Sequence, residues 1–185
     1  MKKTILAFAV LSISSMAVSA QKYFTKDGSI RFYSTTKVED IEATNNKATC
    51  VLDAATGDLE WSVLVKGFKF EKALMEEHFN ENYMESDTHP KAGFKGKIEN
   101  MGSIKLSNDG VYPVKVTGDL TMHGVTKKIT TDATITVAGG KISTSSKFYV
   151  NPKDYNITIP APVQGKISDK IEVTVSGALQ ELAKK

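Results

Sequence analysis

The sequence contains a single cysteine, and Arg31 is its only arginine. One cysteine excludes an internal disulfide bond. Cys50 lies in the apolar stretch "ATCVL", which predicts a buried structural thiol rather than a reactive one, because reactive thiols need a cationic or polar setting.

With Arg31 alone, the chain has almost no guanidinium groups for bidentate contacts to phosphates or bases. We therefore expect no nucleic-acid partner.

The apolar run near the N-terminus is too short to anchor the chain as a membrane-spanning helix. It follows the positive "MKK" and ends in the small residues "SMAVSA", a pattern typical of a secretory signal peptide. We expect residues 1–20 to be removed by cleavage after Ala20, which leaves residues 21–185 as one domain in the periplasm or outside the cell. Loss of Lys2 and Lys3 lowers the formal net charge from +3 to +1.

Histidine is also scarce, and the three histidines fall on different predicted elements. His78, His89 and His123 show no ligand spacing on one strand or helix, and the sequence has no cysteine pair and no HExxH motif. We therefore expect no metal, no cofactor and no enzymatic activity. The stretch "GDLTMHGVTKK" gathers polar residues around His123, but no partner base or nucleophile is indicated. His123-Gly124 is instead typical of a tight hairpin turn.

Alternation of apolar and polar residues with period two dominates the chain and predicts antiparallel strands. It begins in "LEWSVLV" at Leu59. It continues through the even positions from Tyr112 to Met122, and it changes parity after Gly124. Near the C-terminus it returns in "IEVTVSGAL". Turn signals separate the strands: "NDG", "HG" and "GG". Strands of this kind usually close into a barrel or pack as a sandwich.

Two of these turns predict strand register. A two-residue loop at His123-Gly124 pairs Met122 with Val125, Leu120 with Lys127, and Gly118 with Ile129, so that apolar residues meet with one exception. A loop at Gly139-Gly140 pairs Val137 with Ile142, Ile135 with Thr144, and Ala133 with Ser146. Threonine and serine at successive inward positions favour a partly open interior over a dense core.

One segment, Glu71–Met84, breaks the strand pattern and predicts a short amphipathic helix. Its apolar side carries Leu74, Met75, Phe79 and Tyr83, and His78 and Asn82 fall within the same arc. Two interpretations of His78 remain open. It is either a core histidine that is hydrogen-bonded to backbone, or else His78 or Asn82 contacts a ligand head group where the helix caps one end of the barrel.

The segments "LMEEHFNENYMESDTHPKAGFKGKI" (74–98) and "GVYPVKVTGDLTMHGVTKKI" (110–129) resemble the YceI-like family of exported bacterial proteins. The shared features are the helix, the proline before a Phe-x-Gly-x-Ile strand, and the hairpin with His-Gly at its turn. The resemblance implies an all-β fold with one short helix: a single antiparallel, lipocalin-like, eight-stranded β-barrel over residues 21–185. It also implies that the interior holds a long amphiphilic lipid, a polyisoprenoid or a fatty-acid derivative, without catalysis.

The function expected from this resemblance is an exported soluble carrier of such a lipid, acting as a monomer or homodimer. The alternative is a stress-related structural or protein-interaction barrel with a filled core, since inward parity by itself does not distinguish the two. The inward and helical positions supply the predicted ligand-binding residues: Trp61, Val63, Val65, Leu74, Met75, His78, Phe79, Asn82, Phe94, Val116, Leu120, Met122, Ile135 and Phe148.

Overall fold

A computed structural model describes residues 21–182, and within that range the protein consists mostly of long antiparallel strands. The predicted signal peptide, residues 1–20, lies outside the described residues. No helix among the described residues is long and apolar enough to cross a membrane. The elements are β1 (Lys22–Thr35), β2 (Asp40–Asp53), β3 (Asp58–Leu64), β4 (Lys69–Phe70), α1 (Ala73–His78), β5 (Lys91–Ile98), β6 (Gly110–Met122), β7 (Val125–Ala138), β8 (Lys141–Val150) and β9 (Ile171–Glu181).

The strands form one closed antiparallel barrel. Their order in the sheet is β1-β9-β8-β7-β6-β5-β3-β2, and β1 pairs with both β9 and β2, so the sheet returns to its starting strand. The two-residue strand β4 extends the sheet beside β2. Closure leaves no long unpaired edge among these eight strands. The predicted fold class, an eight-stranded β-barrel with one short helix, is confirmed.

Both predicted hairpin registers are confirmed residue by residue. At the β6–β7 turn His123 and Gly124 have φ values of 51° and 72°, and Met122 faces Val125. At the β7–β8 turn Gly139 and Gly140 have φ values of 56° and 74°. Two successive left-handed residues are typical of the type I′ turn, whose twist matches that of the flanking strands. Local turn chemistry therefore determines the register of three long strands.

The helix is shorter than predicted. Instead of one helix over Glu71–Met84, α1 covers Ala73–His78 and is followed by a π-helical turn over Phe79–Tyr83. The Met84 N–H donates to the Phe79 carbonyl over 2.8 Å, which is the i to i+5 bond of a π turn. The Asn80 amide also donates to the Glu76 carbonyl over 2.8 Å, in competition with the backbone.

The barrel interior divides into two ends. At the end near the β7–β8 turn, which we call the filled end, buried side chains from every long strand pack together. The other end, which we call the cavity end, is covered by α1 and remains partly open. The filled end contains Tyr23, Leu52, Ile98, Val114, Ile135, Val137, Ile142 and Leu179.

Trp61 lies between the two ends and packs directly on the backbone of two strands. A Cβ atom on Gly28 would lie 2.5 Å from Cζ3 of Trp61, and one on Gly177 would lie 2.9 Å from its Cη2. Contacts this short are not tolerated, so both positions need glycine for the indole to fit. The ring of Phe94 approaches Gly96 in the same way. These rings form the floor of the cavity above them.

Candidate functional site: an apolar cavity at one end of the barrel

The cavity end encloses about 560 Å³, a volume typical of small-molecule binding sites. Its wall is built from inward side chains of the strands, from one face of α1 and the π turn, and from the segment between β8 and β9. Most of these side chains are aliphatic or aromatic. The apolar lining includes Ile30, Phe32, Ile41, Leu59, Trp61, Val63, Phe68, Phe70, Met75, Phe79, Phe94, Leu120, Ile129, Phe148, Ile159, Val173 and Val175.

Phe79 attaches the helix to the barrel through a cluster of four phenylalanine rings. Its centroid lies 5.3 Å from that of Phe32, 5.1 Å from Phe70 and 5.7 Å from Phe68. These separations and tilts fall in the range in which aromatic pairs attract beyond simple burial. The cluster therefore determines where α1 lies across the end of the barrel.

Charged and exposed groups surround the mouth of the cavity. Glu39, Lys72, His78 and Lys166 all contribute to its lining. The Lys72 ammonium lies 3.7 Å from the Glu39 carboxylate, a partly exposed pair that contributes little stability. Leu74 is 60% exposed although it borders the cavity, so α1 presents an apolar side chain to solvent at the mouth. The mouth therefore combines a rim of charged and polar side chains with one exposed apolar side chain, Leu74.

Hydroxyl groups occupy one part of the cavity wall, on β7 and β8. The Ser146 hydroxyl donates to the Asp132 carbonyl over 2.8 Å and lies 3.2 Å from the Thr131 hydroxyl. The Thr144 hydroxyl is buried and has no hydrogen-bond partner among residues 21–182. A buried hydroxyl without a partner is uncommon in proteins. Thr144 therefore offers the cavity one free polar contact in this hydroxyl-bearing part of the wall.

Comparison with known proteins identifies the fold family of this barrel. A family model for the YceI-like domain matches residues 11–179. The chain belongs to the YceI-like family. A comparison with curated proteins found no match.

Solved structures show the same fold at low sequence identity. A polyisoprenoid-binding domain from Saccharophagus degradans superposes with a TM-score of 0.75 at 13% identity, covering 88% of this chain and 99% of that one. BcnA of Burkholderia cenocepacia gives 0.67 at 16% identity, with 83% and 96% covered. The YCEI protein of Campylobacter jejuni gives 0.56 at 21% identity, with both chains fully covered.

All but two of the ligand-binding residues predicted from the sequence line the cavity of this YceI-like barrel. Whether they contact a ligand stays a prediction. The lining members are Trp61, Val63, Val65, Leu74, Met75, His78, Phe79, Phe94, Val116, Leu120, Met122 and Phe148.

The two exceptions are Asn82 and Ile135, and each has a physical reason. Asn82 is exposed, because the π turn changes the helical phase after His78 and directs position 82 to solvent. Ile135 is 1% exposed and packs in the buried core of the filled end, although Thr144, its partner across the β7–β8 ladder, lines the cavity. Inward parity predicted its burial correctly and could not predict at which end of the barrel it lies.

His78 is exposed at the mouth, so the interpretation as a buried core histidine is wrong. Its role as a head-group contact stays a prediction. The sequence reasoning missed three members of the phenylalanine cluster, Phe32, Phe68 and Phe70. For Phe32 a signal was present, because Ile30, Phe32 and Ser34 alternate along β1 and all face the cavity.

Proposed function

We propose that this YceI-like protein is an exported soluble carrier that holds one long-chain amphiphilic lipid, a polyisoprenoid or a fatty-acid derivative, in the barrel. The observation that carries the proposal is the apolar cavity of about 560 Å³ with its polar rim. The polarity of an amphiphilic lipid matches that of the cavity. Its long apolar chain would contact the apolar wall, and its head group would lie at the mouth beside Glu39, Lys72, His78 and Lys166.

Burial of the chain supplies the driving force. Each methylene group moved from water into an apolar wall gains about 0.8 kcal/mol, so a long chain binds tightly with few polar contacts. The isoprenoid option is supported by the Saccharophagus degradans protein, which shares the fold and is described as a polyisoprenoid-binding domain. The fatty-acid option rests on the cavity alone, whose aliphatic and phenylalanine lining accepts either chain.

The proposed role is binding without turnover. Two serine hydroxyl groups in the wall are engaged with backbone rather than with a general base: the Ser146 hydroxyl donates to the Asp132 carbonyl, and the Ser34 hydroxyl accepts from the Ser168 N–H over 2.9 Å. Nucleophilic catalysis requires an activating base within hydrogen-bond reach of the hydroxyl. These contacts favour a structural role for both serines.

Export follows from the predicted signal peptide at residues 1–20 and remains part of the proposal. In the periplasm or outside the cell, a lipid of this kind must cross water, and the barrel would shield its chain during transport. The filled-core alternative is less favoured, because a filled barrel would have no cavity of this volume at the α1 end. Whether the carrier is a monomer or a homodimer stays a prediction.

The test is to purify the chain under native conditions, record its mass without denaturation, and extract it with organic solvent. We expect one lipid per barrel. Ala133→Phe, which adds a ring to the cavity wall, should lower the loaded fraction at least tenfold, because the added ring occupies chain volume. Ala138→Phe is the matched control, since Ala138 is exposed at the end of the same strand. A lipid-free extract, or equal loading of both variants, would contradict the proposal.

A further inference from the structure

Glu85 and His89, which share the loop after the π turn, meet His123 of the β6–β7 turn at the cavity end. One ligand atom from each lies within 4.8 Å of the other two. The two imidazole rings are 4.8 Å apart, centroid to centroid, at an angle of 71°. Sequence spacing predicted no metal site because it treated these histidines as distant. The fold instead brings the β6–β7 turn against the loop that follows the π turn.

The proton position on His123 is determined by its neighbour. Its Nδ1 lies 2.9 Å from the carbonyl oxygen of Tyr155. A carbonyl only accepts hydrogen bonds, so Nδ1 carries a proton and donates it. In the neutral ring this leaves the lone pair on Nε2, on the side that faces Glu85 and His89.

Nε2 of His123 is buried and has no hydrogen-bond partner among residues 21–182. Its side chain is only 10% exposed, and the nearest carboxylate oxygen, Oε2 of Glu85, is 3.8 Å away. Buried polar atoms in proteins nearly always have a partner. The lone pair on this buried nitrogen faces a second imidazole and a carboxylate but has no partner among the described residues. This arrangement indicates a ligand between the three groups.

The surrounding backbone holds the other two groups in place. The His89 N–H donates to the Glu85 carbonyl over 2.8 Å, so the loop brings both side chains to one side. His89 packs against the turn at Gly124, where a Cβ atom would lie 2.7 Å from its Cε1. Glycine at this position thus allows both the left-handed turn and the approach of the second imidazole.

The geometry points to a divalent transition-metal site, with Zn²⁺ as its best match, formed by Nε2 of His123, His89 and the Glu85 carboxylate. Two histidines and one glutamate are a known zinc ligand set, which leaves a fourth position for water. Bonds of roughly 2.0–2.2 Å in tetrahedral geometry place ligand atoms about 3.4 Å apart. The three ligand atoms now lie within 4.8 Å of one another, and the Glu85–His123 distance of 3.8 Å is already close to that spacing.

The hydrogen bond to Tyr155 completes this assignment. Metal-binding histidines usually donate their other ring N–H to a carbonyl or carboxylate, which orients the ring and raises its basicity. The Nδ1–H of His123 makes such a contact with the Tyr155 carbonyl before any metal arrives. A bound metal would join the β6–β7 turn to the loop after α1. It would lie beside the lipid cavity without occupying it, so the site does not depend on the proposed lipid function.

The test is titration of the chelator-treated, tag-free chain with zinc chloride by isothermal calorimetry. We expect one ion per chain. His123→Asn and His89→Asn should each weaken binding at least thirtyfold, because each removes one of three ligands. Asparagine at position 123 tolerates the left-handed backbone of the turn, so the hairpin should persist. His78→Asn is the matched control, since it removes the remaining histidine, which lies at the cavity mouth.

A second measurement guards against variants that fail to fold. In the unaltered chain, zinc should shift the ring nitrogen resonances of His89 and His123 and leave those of His78 unchanged. Absence of saturable zinc binding would overturn the proposal. Zinc binding that persists in both ligand variants, or that His78→Asn weakens as much as they do, would also overturn it.

Discussion

Cys50 packs in the core from β2 with only 1% of its surface exposed. The loss of hydration penalises the thiolate and raises the pKa of the thiol from 9.0 to about 12. The sequence predicted this inert behaviour from the apolar neighbours in "ATCVL", and the structure supplies the cause. A protein with a free thiol benefits from such burial, because the thiolate is the form that reacts and oxidises.

Native Cys50 should therefore resist thiol reagents. At pH 8 a pKa near 12 leaves on the order of one thiolate in ten thousand, against about one in ten for a pKa of 9.0, so labelling should slow at least a thousandfold. The measurement is the rate of iodoacetamide labelling at pH 8, compared with the same chain in guanidinium chloride. A native rate within tenfold of the unfolded rate would mean that Cys50 is reached without unfolding.

His123 and His78 show which residue properties the sequence can predict. The turn role of His123 was predicted from the His-Gly pair, because the left-handed backbone of a hairpin is a local property, and its φ of 51° confirms it. Its contact with Tyr155 and its closeness to His89 depend on how distant segments fold together, and no spacing rule contains that information. His78 was placed on the correct side of the helix, but how deeply it is buried depends on where the helix ends.

At the scale of elements, hairpins were predictable and the helix boundary was not. In a hairpin, the turn fixes which residues face each other along both strands. One correctly predicted turn therefore gives thirteen correct residue pairs along β6 and β7. The change from α1 to the π turn depends on the Asn80 side chain and on the docking of Phe79 in the aromatic cluster. Neither effect appears in a helical wheel, which is why Asn82 was assigned to the wrong side.

The helix α1 should be the first element of the barrel to open. It has six residues, and its N-cap, Lys72, provides no side-chain hydrogen bond to the free N–H groups of the first turn. Isolated helices of this length are marginal. The capping position is extended, with φ −111° and ψ 126°, which suits a serine cap. The substitution Lys72→Ser should stabilise α1 by about 1 kcal/mol and slow amide exchange at Met75–His78 about fivefold.

Hydrogen exchange measured by mass spectrometry or NMR checks this prediction. Lys47→Ser serves as the control, because Lys47 is an exposed lysine on β2 with a single carboxylate partner, as Lys72 is on the helix. If α1 also controls access to the cavity, the capped variant should take up lipid more slowly, apart from any change in affinity caused by loss of the Lys72 ammonium at the mouth. Unchanged exchange in Lys72→Ser would show that tertiary contacts through Phe79, rather than the cap, determine the opening of α1.

For the whole molecule, the division into a filled end and a cavity end is the feature that the sequence did not predict. Alternation predicts which residues face inward, but it does not predict where along the barrel axis each residue lies. That position depends on contacts across the interior, such as Trp61 against Gly28 and Gly177. The same limitation explains why Ile135 was assigned to the ligand site, since it satisfies the pattern but packs in the filled end and does not line the cavity.

Trp61 is the only tryptophan of the chain, and its position in the cavity floor makes it a probe of lipid orientation. In the proposed complex the head group lies at the mouth beside Lys72 and Lys166, and the chain end points toward Trp61. Fatty acids brominated at defined carbons quench tryptophan emission by contact. Bromine near the chain end should therefore quench Trp61 strongly, and bromine near the carboxylate should quench it weakly.

This last prediction follows from the division of the barrel, because only one end has room for a chain. The filled end holds tightly packed core residues, such as Leu52 and Ile98, so a lipid enters from the α1 side and stops at the floor. Trp61→Phe should remove the fluorescence signal, which confirms its source, while native mass spectrometry shows that the lipid is still bound. Equal quenching at all bromine positions would place the chain outside the barrel, and stronger quenching near the carboxylate would place the head group on the floor.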